Sequence, residues 1–339
     1  MPPALLPDPP APVLPRYVRE VVAEAEAVRL EPLRVGPRPA RDAVVLLSVM
    51  RNEAGILGDF LAHWRGLGVD RFVVLDNESD DGTPERLAAE PDVDLHRVRR
   101  RFYPPMKQGW INRAIADYGH DRWYVTADAD EHLVFDGAGP RSLRDLVGLA
   151  EARGLRRLRG MLVDMYRDAP VLGSAPGGLP LAAAYPLFDG DGYEETLCKQ
   201  RISRHGGPRR RRLARPGGSP ELTKYPLFHI RRGEVFDNPH HLYPYGENFA
   251  SPCLAAVLHY KFHAGLAAKI GDAVAREQYF DGSAEYKHYA RVLGAAPALG
   301  LAYPGSRRYR GPGDLVAAGL IEPIAWDAPA VRARRGPRP

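Results

Sequence analysis

Cysteine is almost absent: Cys198 and Cys253 are the only two in 339 residues. They allow at most one bridge, which excludes a disulfide scaffold, and the lack of any C-x-x-C pair excludes a cysteine-based zinc site. Lysine is scarce too. Of 47 basic residues, 41 are arginine, and only Lys107, Lys199, Lys224, Lys261, Lys269 and Lys287 are lysine. A GC-rich genome produces that skew as readily as selection for a polyanion does. No run of ~18 uncharged apolar residues occurs, so no bilayer-spanning helix is expected. The N-terminus carries Pro2, Pro3, Pro7, Pro9, Pro10, Pro12 and Pro15 but no basic segment leading into an apolar one. No secretory signal is read there, and the cytoplasm is the default compartment. A G-x-x-x-x-G-K loop ending in Ser or Thr is missing, as is a G-x-G-x-x-G turn after the first apolar run, so two large nucleotide-binding classes drop out. There is no internal repeat.

What remains is a globular composition, with 45% apolar and 26% charged residues and length enough for one large domain or two modest ones. A net charge of +5 spread over this length suits an anionic ligand but gives no footprint for nucleic acid. Residues 1–40 read as a proline-rich arm around one helix at 17–30. The core then starts with an uninterrupted apolar run at 44–50, of strand length and apolar on both faces. Ile56, Leu57, Phe60, Leu61, Trp64 and Leu67 form a helical stripe. Residues 71–76 predict a second buried strand and 94–98 a third. Met106, Trp110, Ile111, Ala114, Ile115 and Tyr118 predict a helix, and 123–126 another strand. Such alternation implies an α/β fold, a mainly parallel sheet with helices on both faces. Ligands collect beyond the carboxyl ends of strands in sheets of this kind, and the polar clusters fall at three such ends: Arg51-Asn52-Glu53, Asp76-Asn77-Glu78, and Asp128-Ala129-Asp130-Glu131. Beyond residue 140 the pattern loosens, with 170–220 rich in Gly, Pro and Arg. Regularity returns at 222–230, at 253–262 and in a helical stretch at 264–279, before an arginine-rich tail expected to fray.

Asp128 and Asp130 are one residue apart at a strand end and point the same way in an extended chain. Carboxylates so placed suit Mg²⁺ or Mn²⁺, which prefer oxygen ligands and share their shell with phosphates. Taken alone, the triplet reads first as a solvated turn. Its hydrophobic continuation, Leu133-Val134-Phe135, argues against that, because like charge buried there needs a cation or donors. The tetrapeptide also lacks the Thr of an aspartyl-phosphate phosphatase.

The ordered set Val49-Met50-Arg51-Asn52-Glu53, Gly68 to Thr83, Gln108, and Asp128-Ala129-Asp130-Glu131-His132-Leu133-Val134 resembles family 2-type glycosyltransferases. It is most similar to the subgroup with a D-x-D-E step, which also resembles family 92. The likeness is strong over 43–136 and continues thinly through Gly206-Gly207-Pro208-Arg209, Leu222 to Leu227 and Leu258-His259-Tyr260-Lys261-Phe262. It implies a GT-A fold at 41–265, with a nucleotide-sugar half at 41–136 and an acceptor half at 137–265, followed by a C-terminal helical extension and tail at 266–339.

By position, the resemblance places Arg51, Asn52, Glu53, Asp76, Asn77 and Gln108 in the nucleotide pocket, and Asp128 at ribose or metal. Asp130 and His259 become metal ligands for Mn²⁺ or Mg²⁺, with Lys224, His241 and Lys261 near phosphate or acceptor; His259 reads equally well as a core histidine. The expected donor is a nucleoside-diphosphate sugar, and the acceptor a glycan or small molecule. No nucleic acid or transmembrane segment is expected, and peripheral membrane contact stays open. Inverting enzymes need a carboxylate base; of Glu194, Glu195, Glu234 and Asp237, Glu195 is preferred, with Asp237 next. The usual V-D-D-G-S reads Leu75-Asp76-Asn77-Glu78-Ser79 here, which leaves the base identity open. Arg209 to Arg212 read as a loop, either solvated or clamping a diphosphate. His229, His240, His241 and His259 fit no tetrahedral zinc spacing. Two other readings remain: a non-catalytic nucleotide- or nucleic-acid-binding module on the same scaffold, and a sugar nucleotidyltransferase.

Overall fold

The computed structural model describes residues 14–173, 178–198, 201–215, 218 and 220–326; the proline-rich start and the arginine-rich tail lie outside them. Along the first half run α1 (Arg16–Ala27), β1 (Glu31–Arg34), β2 (Val45–Met50), α2 (Leu57–Gly66), β3 (Arg71–Asp76), α3 (Thr83–Ala88), β4 (Val93–Arg97), α4 (Pro104–Tyr118), β5 (Arg122–Thr126), β6 (Glu131–Phe135), α5 (Leu143–Ala152) and β7 (Arg157–Asp164). With the strands Thr223–Ile230 and Cys253–His259 they build one nine-stranded sheet. β4, β3, β2 and β5 are mutually parallel. Thr223–Ile230 is antiparallel to both β5 and β7, so β7 runs with β5, and Cys253–His259 is parallel to β7. Six strands therefore share one direction, while β1, β6 and Thr223–Ile230 oppose it. The sheet is mixed and mainly parallel, as the sequence pattern implied.

Each strand divides its side chains between two cores, because successive residues face opposite sides. Leu46, Phe72, Val74 and Val125 pack with Phe60, Leu61 and Trp64 of α2 and Leu143, Leu146 and Ala150 of α5. Val45, Leu47, Val73 and Tyr124 pack with Trp110, Ile111, Ala114 and Ile115 of α4. Covering both faces makes the central strands apolar throughout.

Two expectations change. The segment read as an arm is part of the fold: β1 pairs with β4, and the buried Glu24 of α1 accepts from Trp110 Nε1 at 2.9 Å and pairs with Arg100 at 2.6 Å. Gly109 permits this approach, since a Cβ there would sit 2.6 Å from Glu24. Likewise Arg209, Arg210 and Arg211 lie in a short helix, Gly207–Arg212, not in a loop, and are tied to Asp164, Glu194 and Asp189; Arg209 is buried, while Arg211 and Arg212 are exposed. Among the described residues, Cys253 is a free, buried thiol. No helix among the described residues is long and apolar enough to cross a membrane.

One packing detail predicts a pH response. His63 of α2 stacks on His132 of β6, with ring centroids 4.2 Å apart, and burial lowers their pKa values from 6.5 to about 4 and about 2. The unfolded rings take protons near pH 6.5 and the folded ones resist, so their contribution is complete above that pH and is lost as pH falls towards 4. The expected slope is roughly 1.4 kcal/mol per pH unit for each ring. Urea midpoints at pH 7 and pH 5 will differ less in a His63→Leu/His132→Leu variant than in the wild type; equal differences would refute the assignment.

Candidate active site

Shared strand direction puts the carboxyl ends of β2, β3, β5, β7 and Cys253–His259 on one edge of the sheet. There they deliver Arg51 and Glu53, Asn77, Asp128 and Asp130, Asp164, and His259. β6 enters from the same edge, with Glu131 opposite His259 in register, and His259 is also in register with Asp164. A cleft of about 640 Å³ opens beside these residues, its other wall built by the helices Leu266–Arg276 and Phe280–Ala295. The stretch read as a C-terminal extension is thus one side of the cleft.

The cleft is dense with charge. Asp130 Oδ2 lies 3.6 Å from His259 Nε2 and 3.8 Å from Lys269 Nζ, and Lys269 Nζ lies 3.0 Å from Glu53 Oε1. Asp128 pairs with Lys107 of α4. Burial alone would raise the Asp130 carboxyl, but Lys269, His259 and neighbouring cations outweigh it and hold Asp130 far below the usual carboxylate range. Glu53 goes the other way: burial, only partly offset by Lys269, lifts it to about 7. Lys261 sits 4.7 Å from the Tyr286 ring centroid and 3.7 Å from Glu285. Burial opposes ionisation of Glu285, yet Lys261 and Arg209 bring it down to about 2. Among the described residues, two amides at the cleft, Asn77 and Gln108, keep a buried oxygen without a partner; such oxygens ask for an N–H or O–H from a ligand.

Among the residues named from sequence, Arg51, Glu53, Asn77, Gln108, Asp128, Asp130, His259 and Lys261 line this cleft. Others do not. Glu195 sits on an outlying hairpin, where Arg159 at 2.9 Å and Arg204 at 3.3 Å hold it. Asp237 is fully buried and bonded to His241 and to the Tyr245 hydroxyl, which also keeps His241 off the cleft; its neighbour His240 lines it instead. Asn52 braces the loop after β3 through Asp80. Asp76 is buried behind the lining and accepts from the Ser79 amide at 3.2 Å. Lys224 pairs with Glu131 in a small hollow behind Asp128.

Lys107, Lys269 and Glu285 escaped the sequence reading, although a signal was present. In a chain whose basic residues are nearly all arginine, Lys107, Lys224, Lys261 and Lys269 gather at or just behind the cleft. Lysine persists where a compact ammonium is needed rather than a planar fork.

Among the described residues, no three His, Cys, Asp or Glu side chains form a ready-made cation site. Asp130 and His259 nevertheless fit a hard divalent cation that takes its remaining ligands from phosphate and water. An oxygen and a nitrogen 3.6 Å apart can share one ion at ~2.1 Å each.

No family model matches the chain. Over 98 residues it is 31% identical to a glycosyltransferase family 92 protein of Oryza sativa subsp. japonica, a stretch covering 28% of this chain and 17% of that one. Over 109 residues it is 30% identical to a family 92 protein of Ricinus communis, covering 30% of this chain and 19% of the relative. The matches thus span less than a fifth of either relative. Partial structural overlaps include S. aureus TarS 1-349, at 13% identity and a TM-score of 0.27 over 37% of this chain and 36% of that one. Another is the mannosyltransferase PcManGT of Pyrobaculum calidifontis in complex with GDP-Man and Mn²⁺, at 22% identity and a TM-score of 0.27 over 45% and 43% of the two chains. Overlaps this partial add nothing to the fold, which rests on the strand order above. Over under a third of its length, the chain is weakly homologous to family 92 glycosyltransferases.

Proposed function

We propose that this protein is a metal-dependent glycosyltransferase of the family 2-like D-x-D-E kind, moving a sugar from a nucleoside diphosphate to an acceptor hydroxyl with inversion. One observation carries the reading: Asp130 and His259 meet at 3.6 Å on the edge where the parallel strands end, inside a cleft rich in ammonium groups. Arg51, Asn77 and Gln108 face the nucleoside, and the unpartnered amide oxygens accept from it. Lys107, Lys261 and Lys269 take up diphosphate charge. Bound Mn²⁺ or Mg²⁺, held by Asp130 and His259 with Asp128 beside them, would act as a Lewis acid on the diphosphate.

The acceptor oxygen attacks the anomeric carbon as the bond to the diphosphate breaks, and its proton passes to a carboxylate of the cleft. Glu53, Glu221, Asp272 and Glu285 line it; Glu195 does not. Glu195→Gln is therefore expected to leave transfer within about twofold of wild type, while a loss of an order of magnitude in steady-state rate would restore that residue as a base.

Thermal shift with UDP-, GDP- and dTDP-sugars, each with and without Mn²⁺, tests the whole reading. A ligand at 100 times its Kd adds about 2.7 kcal/mol to the folded state. The expected result is a Mn²⁺-dependent rise with one donor, followed by turnover of that donor. Binding without turnover would favour the non-catalytic module, and no response to any donor would end the proposal.

A further inference from the structure

Behind His259 lie two buried charges, Asp164 and Arg209, that do not line the cleft. Asp164 ends β7 with its side chain fully enclosed. Its Oδ1 is 2.7 Å from His259 Nδ1 and its Oδ2 accepts from Arg209 Nε at 2.7 Å. Arg209, only 4% exposed, also lies 3.7 Å from Glu285. The three residues come from β7, the helix Gly207–Arg212 and the strand Cys253–His259.

Resting on the cation role given above to His259, we propose that Asp164 is a positioning residue: with Arg209 it fixes His259 as the Nδ1–H tautomer, turning an unprotonated Nε2 towards Asp130. The buried Arg209 guanidinium faces Asp164 at 2.7 Å, so Asp164 is a carboxylate there and can only accept. One oxygen is taken by the guanidinium, and the other accepts a hydrogen bond from His259 Nδ1–H. The lone pair of the neutral ring is then on Nε2, the atom 3.6 Å from Asp130. A carboxylate bonded behind a ligating histidine sets its tautomer and raises its basicity.

Asp164→Asn is the informative variant because it keeps the shape and has only one oxygen. Arg209 can satisfy itself only at that oxygen, which leaves the amide NH₂ against His259 Nδ1 and drives the proton to Nε2. Mn²⁺ binding in the presence of inorganic pyrophosphate, followed by electron paramagnetic resonance of the free ion, is expected to weaken 10- to 100-fold. His259→Ala is the reference. A second readout needs no variant: ¹⁵N NMR of the metal-free wild type at pH 8.5 should show the Nδ1–H form at His259, and Asp164→Asn should convert it to Nε2–H. If His259→Ala binds Mn²⁺ like the wild type, the cation reading fails. If His259→Ala weakens binding while Asp164→Asn changes neither affinity nor tautomer, or if the wild type shows Nε2–H, the positioning role is overturned.

Discussion

Asp130→Ala is expected to lower kcat/KM for sugar transfer about a thousandfold, roughly 4 kcal/mol of transition-state stabilisation. The size follows from what the carboxylate faces. It is ionised well below neutral pH, nearly buried, and within 4 Å of both His259 and Lys269. Removing it takes away one of two proposed cation ligands at the point where charge develops on the departing diphosphate. The fold should tolerate the change, since Lys269 keeps Glu53 at 3.0 Å and the alanine is smaller than what it replaces. Steady-state kinetics with the identified donor and Mn²⁺, beside a thermal melt, separate the two effects. Full turnover in this variant would remove the cation role from Asp130.

Lys269→Met has the largest expected effect on stability, about 3 kcal/mol at pH 8. The ammonium is 24% exposed and stands between Glu53 and Asp130; removing one partner of a buried pair leaves the other charge uncompensated. The loss should depend on pH in a definite direction. Glu53 already holds its proton to about 7, against 4.5 for the free side chain. Between those values the folded state binds more protons than the unfolded one, so this group's contribution falls as pH rises from 4.5 to 7 and is level above. Without Lys269 the folded pKa rises further, and the decline extends above pH 7. Urea unfolding at pH 6 and pH 8 should therefore show the variant closer to wild type at pH 6, where only its loss at Asp130 remains. Equal stability at pH 8, or an unchanged slope, would show that Lys269 does not compensate Glu53.

By itself, the sequence determined the parallel heart of this protein. The apolar run ending at Met50, RFVVLD ending at Asp76 and WYVT ending at Thr126 could be buried only with helices on both faces. Strands related in that way must bring their carboxyl ends together. Arg51, Glu53, Asn77, Asp128 and Asp130 were legible for that reason. The period-2 and period-3.6 signals are local, and these residues follow directly from them.

Tertiary structure alone decided the rest, because the deciding contacts join residues far apart in the chain. Lys269 meets Glu53 across 216 positions and Asp164 meets His259 across 95, and no local pattern encodes such a pairing. Glu195 and Asp237 looked like bases because they are acids in the expected half, yet strand register put one beside Arg159 and folded the other around His241. Burial is what turns a charged side chain into a site, and burial is a property of the packed whole.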